Sequence, residues 1–215
     1  MKNEILVIAD NIVALSQDSG RAAGEMLEDV AAKDGDAKML AVMSELDIMS
    51  VAKIVRDHDT TIPSIATWLM EPQIIKDLLD VEPAYWQNEI EKSAWTARDG
   101  AMSLLSQIFL SNDDDERQAE ILRVIGAESS GLLYLSLPFV GYDFDAIDTE
   151  EEQVSGSEAE LIERIKLLDA SVYADIVEMC KNGDCDAIER ELIQQANSLK
   201  IGELDDDIDD MFAPL

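Results

Sequence analysis

One histidine, His58, and two cysteines, Cys180 and Cys185, are all that this 215-residue chain offers of the soft metal ligands and near-neutral bases. That scarcity removes whole classes of chemistry. A ferritin-like di-iron centre needs two Glu-x-x-His pairs, which one histidine cannot supply. A structural zinc site needs four Cys or His ligands, and no histidine stands near the two cysteines. His58 lies between Asp57 and Asp59 with no serine or cysteine close by in sequence, so it reads as a surface histidine and not as the base of a nucleophile pair. No Walker loop, dinucleotide glycine fingerprint or Gly-x-Ser-x-Gly elbow occurs. Asp184 and Asp186 open like a calcium loop, but its sixth-position glycine and twelfth-position glutamate are missing.

Positive charge is equally scarce. Sixteen Lys and Arg stand against 47 Asp and Glu, a net charge of −31. The deficit is spread along the chain, with 9 bases and 19 acids in 1–110, 2 and 12 in 111–156, and 5 and 16 in 157–215. No segment can neutralise phosphates, so direct nucleic-acid binding lacks its electrostatic drive, and anionic membrane surfaces are disfavoured for the same reason. Apolar runs are short, and none approaches the ~18–20 residues of a membrane span. The first dozen residues are interrupted by Asp10 and Asn11 and make a poor signal peptide. A cytoplasmic location with reduced thiols is the expectation, the two cysteines packing singly against helices.

Aromatic residues make up 5% of the chain, too few for a typical β-sandwich core, whereas hydrophobic residues make up 47%. These are mostly Leu, Ile, Val, Ala and Met, the filling of packed helices. Their spacing agrees. Ile5, Ile8, Ala9, Ile12 and Val13 share one helical face, and Ala22, Ala23, Met26, Leu27 and Val30 form a second stripe ended by Asp34-Gly35. Asp36 is expected to cap a third helix through Met39, Met43 and Leu46, extending towards Val55. Pro63, Pro72 and Pro83 each fit a first helical turn, where the missing N–H costs nothing. They predict short helices near 63–70 and 72–80 and a longer one from 83 to about 110, striped by Trp86, Ile90, Trp95, Met102, Leu105 and Ile108. The run Leu132–Leu137 fits a buried helix or a short strand equally well.

The prediction is an all-α, multi-helix bundle with a C-terminal αα-hairpin and an acidic amphipathic tail. Its parts are a helical body over 1–140, an acidic linker or loop over 141–156, a helical hairpin over 157–202 and a docking tail over 203–215. The hairpin is expected to open at the capping box Ser157-Glu158-Ala159-Glu160, run as one helix to Asn182-Gly183, turn, and return through Ile188, Leu192 and Ala196.

Two carboxylate patterns have the spacing of magnesium enzymes. Asp205, Asp206 and Asp209 match the DDxxD of helical terpenoid synthases, but no second metal motif accompanies them. Glu160, Glu163, Asp175 and Glu178 match the paired spacing of all-α nucleoside-triphosphate pyrophosphohydrolases, which need the pairs on facing helices. With no turn signal between the pairs, both fall on one rod, more than ~15 Å apart at ~1.5 Å per residue.

The last residues carry a mechanism of a different kind. Leu204, Ile208, Met211, Phe212 and Leu215 recur at i, i+4, i+7, i+8 and i+11, one helical face, and six acids including Asp206 and Asp209 fill the opposite side. So charged a segment repels itself in isolation, yet it can lay its apolar side into a groove rimmed by Lys or Arg. It resembles in kind the acidic, apolar-tipped tails of bacterial single-strand-binding proteins and of the chemotaxis phosphatase CheZ, which bind partners through that tail. The likeness covers about a dozen residues and implies a style of docking, not membership of either family.

The function expected is therefore that of a non-enzymatic adaptor, regulator or assembly chaperone without a cofactor. Its partner would be a protein with a basic-rimmed apolar groove. Two alternatives stay open: a nucleic-acid mimic that blocks a basic DNA-binding protein, which predicts carboxylates regularly spaced on one surface, and a magnesium-dependent all-α hydrolase, which predicts at least three carboxylates converging in one pocket.

Overall fold

The computed structural model describes residues 2–57, 70–86, 96–111, 114–144 and 157–211. Among these residues there are eleven α-helices and no strand, an all-α multi-helix architecture. The chain divides into two compact units, Met1–Leu78 and Leu79–Leu215. The predicted loop at 57–61, with His58, the helix near 63–70, and the stripe positions Ile90 and Trp95 lie wholly or largely outside the described residues.

The first unit is built from α1 (Lys2–Asp18), α2 (Gly20–Asp34), α3 (Asp36–Met43) and α4 (Ile48–Asp57). Helix α2 lies against the other three. The stripes read from the sequence are the ones buried here: Ala9 and Ile12 of α1, Ala23, Leu27 and Val30 of α2, Met39, Val42 and Met43 of α3, and Val51, Ala52 and Ile54 of α4. The break between α1 and α2 is a single residue, Ser19, whose hydroxyl accepts from the Ala22 backbone N–H at 3.2 Å. Gly35, at φ +89°, makes the next corner in a region of backbone space closed to residues with a Cβ. Asp36 is consequently the first residue of α3 and not its cap, and its carboxylate stands in the first turn, where the helix dipole favours it. Helix α3 stops at Met43, and Asp47 starts α4 by accepting from the Ser50 backbone N–H at 2.7 Å. A chain of side chains, buried at Ser16 and Ser50, joins α1 to α4: the Ser16 hydroxyl donates to Ser50 Oγ at 3.0 Å, and Ser50 donates to the exposed Asp47 at 2.7 Å. Lys38 of α3 bridges Glu4 of α1 at 2.8 Å and Asp34 at 2.9 Å, and its ammonium holds the Glu4 carboxyl below its usual range.

Helix α5 (Pro72–Val81) carries the division between the units, and its start at Pro72 follows from the proline at a first helical position. A 3-10 turn, Glu82–Tyr85, follows it. The long helix expected from residue 83 to 110 is interrupted. Thr96 is extended, at φ −114° and ψ 158°, and starts α6 (Ala97–Leu110) through a reciprocal box with Asp99. Helices α7 (Asp115–Gly126) and α8 (Ser129–Ser136) come next, then a 3-10 turn, Leu137–Phe139. Asp114 caps α7 by accepting from the Arg117 backbone N–H at 3.1 Å. The run Leu132–Leu137 is thus helical, and its apolar character on every side has a direct cause. Helix α8 is the hub of this unit, packed by α6, α7, α10 (Ala170–Asn182) and α11 (Cys185–Met211), while α9 (Ser157–Leu168) precedes α10.

The single rod expected over 157–182 is two helices. Asp169 leaves the helical region, at φ −155° and ψ 105°, and its carboxylate accepts from the backbone N–H groups of Ser171 at 2.9 Å and Val172 at 3.2 Å. Helix α9 then packs on α6 and α7, and α10 packs on α7, α8 and α9. Helix α11 buries Ile188, Leu192 and Ala196 and lies against α8 and the two 3-10 turns.

Candidate functional site

The polar groups buried in the second unit come first, since a catalytic set would be drawn from them. Glu82 is buried, and its carboxylate accepts from the Trp86 indole N–H and, at 2.9 Å, from the Tyr134 hydroxyl. The Trp86 and Tyr134 rings lie 5.7 Å apart, so the three side chains clamp the 3-10 turn to α8. Gln118, also buried, accepts from Arg164 Nε at 3.0 Å and donates to the Ile108 carbonyl at 3.4 Å, while Arg164 reaches Asp115 at 2.6 Å. Arg98 joins α6 to α9 through Glu158 at 3.1 Å. Each of these groups holds one element to another, whereas the buried Ser136 hydroxyl makes no hydrogen bond among the described residues.

A ladder of edge-to-face rings, Phe139–Tyr142–Phe144–Tyr173, runs from the second 3-10 turn to α10, with centroid separations of 6.3, 5.3 and 6.4 Å. The Lys166 ammonium stands 5.3 Å from the Tyr173 ring centre. Burial and the neighbouring carboxylates of Glu158 and Glu163 push the Tyr142 phenol up. The ladder fixes the point where the chain leaves the core towards the acidic stretch, whose residues 145–156 lie outside the described ones.

The four carboxylates with pyrophosphohydrolase spacing do sit on two packed helices, because of the break at Asp169, so the one-rod argument against them fails. They are nonetheless exposed on those helices. No group of three His, Cys, Asp or Glu side chains among the described residues is arranged to hold a metal. The described ion pairs, such as Arg21–Glu25, Lys33–Asp29 and Arg164–Asp115, are spread over several helices. No described helix is long and apolar enough to cross a membrane.

Cys180 is buried, its thiol 3.5 Å from the Ser136 carbonyl, and desolvation pushes its pKa up to about 11 from 9.0. Burial raises Cys185 too. Thiols so held are poor nucleophiles at neutral pH. The shift has a sign for stability. The folded chain holds the Cys180 proton more tightly than the unfolded chain, so this contribution is full below pH 9 and is lost as pH rises towards 11. Thermal melts are expected to show Tm falling more steeply over that window in the wild type than in Cys180→Ala, which lacks the group.

The predicted docking segment is continuous with α11. The backbone is helical without a break through Gly202 to Met211, so the glycine does not end the helix. The side chains of Leu204, Asp206, Ile208, Asp209 and Met211, and all of Phe212 and Leu215, lie outside the described residues. One feature with no signal in the sequence is an open depression of about 410 Å³ in the first unit. Leu40, Met43, Val51, Met70 and Ile74 line it, residues too far apart in the chain for a motif to join them.

No solved structure matches the chain. A curated protein does: "Adaptation to cold protein B" of Shewanella oneidensis is 29% identical over 136 residues, which is 63% of this chain. The aligned part spans 54% of that protein, so the chain covers about half the length of its relative. Residues 1–69 match the AtcB N-terminal domain family and residues 72–206 the AtcB C-terminal domain family, a junction that falls close to the division between the two compact units. With both domains present in order, the chain belongs to the AtcB family.

Proposed function

We propose that this chain is a non-enzymatic protein-interaction protein that serves adaptation to cold, holding a partner through the acidic end of α11. The observation that carries this reading is the continuation of α11. Ala196 is its last buried position among the described residues, yet the helix runs on to Met211. Six acids lie in 203–215, among them Asp206 and Asp209. At 3.6 residues per turn, positions 204, 208 and 211 fall about 130° round the helix from 188, 192 and 196. A partner can therefore take Leu204, Ile208, Met211, Phe212 and Leu215 while the first stripe stays on α8. The matching surface is an apolar groove rimmed by Lys or Arg, since the acids would otherwise be desolvated without a counter-charge.

Paired pull-downs with the full chain and with a chain ending at residue 202 test this. The expected result is a protein retained by the first and lost from the second, with binding weakened about tenfold between low and high salt because the rim charges are screened. Leu204→Ser with Ile208→Ser should reproduce the loss while the melting of the helical units is unchanged. Identical partner lists would remove the segment from the mechanism.

A further inference from the structure

We propose that the open depression in the first unit receives an anchor of a partner protein: large apolar side chains one helical turn apart, with a Lys or Arg beside them. Three segments build the hollow. The last turn of α3 gives Leu40, Ala41 and Met43, α4 gives Val51, and the approach and first turn of α5 give Met70 and Ile74. Met43, Val51 and Met70 are buried, whereas Leu40, Ala41 and Ile74 are half-buried, so apolar surface continues from the interior to the mouth. At about 410 Å³ the hollow lies within the ~300–1,000 Å³ of pockets that enclose a ligand. Two of its side chains are methionines, whose unbranched thioethers adapt to the shape of what enters.

The polar lining sets the charge of the occupant. It consists of Ser44 and Glu71, with no Lys, Arg or His among the described lining residues. The Ser44 hydroxyl is spent on its own helix, donating to the Ala41 carbonyl at 3.0 Å. Glu71 is exposed and forms no ion pair with a described residue. Helix α3 ends at Met43, so its lining residues stand at the carbonyl end of a helix, where positive charge is favoured, and the next acids in the chain, Glu45 and Asp47, are exposed too. An occupant with acids beside its apolar groups would bring like charge to Glu71. That disfavours a fatty carboxylate, the chain's own segment 203–215 with its six acids, and a second copy carrying −31 charges. A partner with a base one turn from its apolar side chains gives Glu71 the counter-charge it lacks. The hollow lies within Met1–Leu78, apart from the acidic end of α11, so the two readings stand or fall separately.

The test uses the full chain with carbon-13 in its methionine methyl groups. The probe is a synthetic helix of about sixteen residues with Leu at two positions four apart, Lys flanking them and Ala elsewhere. The Met43 and Met70 resonances, assigned through Met43→Leu and Met70→Leu, are expected to move on titration while that of Met179, in the second unit, stays. By fluorescence anisotropy, Ala41→Phe, which adds a ring to the lining, and Glu71→Lys are each expected to weaken the labelled helix about tenfold. Asp10→Lys, at an exposed position of α1, changes the net charge equally and is expected to alter binding less than about twofold. Probe helices with Glu for Lys, or with Ser for Leu, are expected to bind about tenfold more weakly. Unmoved Met43 and Met70 methyls, or equal losses from Glu71→Lys and Asp10→Lys, would overturn the proposal, and the methyl readout stands even where Ala41→Phe folds poorly. Octylammonium moving the same methyls as far at equal concentration would assign the hollow to small amphiphiles, and tighter binding on removal of residues 203–215 would assign it to the chain's own end. Either result overturns the choice of occupant.

Discussion

Gly131→Ala is expected to destabilise the second unit by about 3 kcal/mol, the upper part of the range for overpacking a core. The reason is positional. A Cβ at residue 131 would lie 2.0 Å from the Ile125 carbonyl oxygen and 3.0 Å from Ile125 Cγ2. The first obstacle is main chain at the end of α7, so a rotamer change cannot relieve it, and α8 must lift off its neighbours. Because α8 is packed by helices on several sides, that shift spreads to α6, α10 and α11. Gly126→Ala is the informative comparison. Its Cβ would meet only side-chain atoms of Val172, at 2.9 and 3.0 Å, and the expected loss is smaller, about 1 kcal/mol. Urea titration monitored by far-UV circular dichroism measures both, and equal midpoints for the two variants would contradict this account of the close approach.

Glu82→Leu carries the other large effect, an expected loss of about 3 kcal/mol, because two buried donors lose their acceptor at a cost of about 1–3 kcal/mol each. Leucine is close in volume but takes away the acceptor that the Trp86 N–H and the Tyr134 O–H share. Tyr134→Phe deletes one donor and leaves the carboxylate its indole contact, so its expected cost is about 1 kcal/mol. A double-mutant cycle between the two positions should give a coupling near that smaller value. Trp86 fluorescence provides a local probe, since the indole loses its carboxyl neighbour in Glu82→Leu and keeps it in Tyr134→Phe. Additive losses would mean that the two side chains act separately and that the clamp is not a unit.

The helices were legible wherever one face is wet. Alternation of Ala9 and Ile12 with exposed Asp10 and Asn11, or of Leu27 and Val30 with Glu28 and Asp29, follows from a helix half in water. Periodicity failed at Leu132–Leu137 because α8 is covered on nearly every side, and a helix with no wet face has no stripe. The breaks at Asp169 and Thr96 escaped because each is made by a capping side chain within a sequence whose apolar rhythm continues across it, with no Gly or Pro to mark the stop. Thr96-x-x-Asp99 is a capping box on inspection, but Trp86, Ile90 and Trp95 before it fit the stripe that follows and hide the boundary. Glu82 and Tyr134 are 52 residues apart, and their bond could not be read from either neighbourhood.

The placement of α8 also sets an order of events on the ribosome. The first unit ends at Leu78, so it can close while the rest is still being synthesised. The hub of the second unit has no such luck, because α10 begins only at Ala170 and α11 at Cys185, long after the greasy turn-and-helix of 131–139 has emerged. Until they arrive, Leu133, Leu135 and Phe139 face water in the nascent chain. That interval lengthens as translation slows, and the exposed apolar surface then stays open to aggregation for longer.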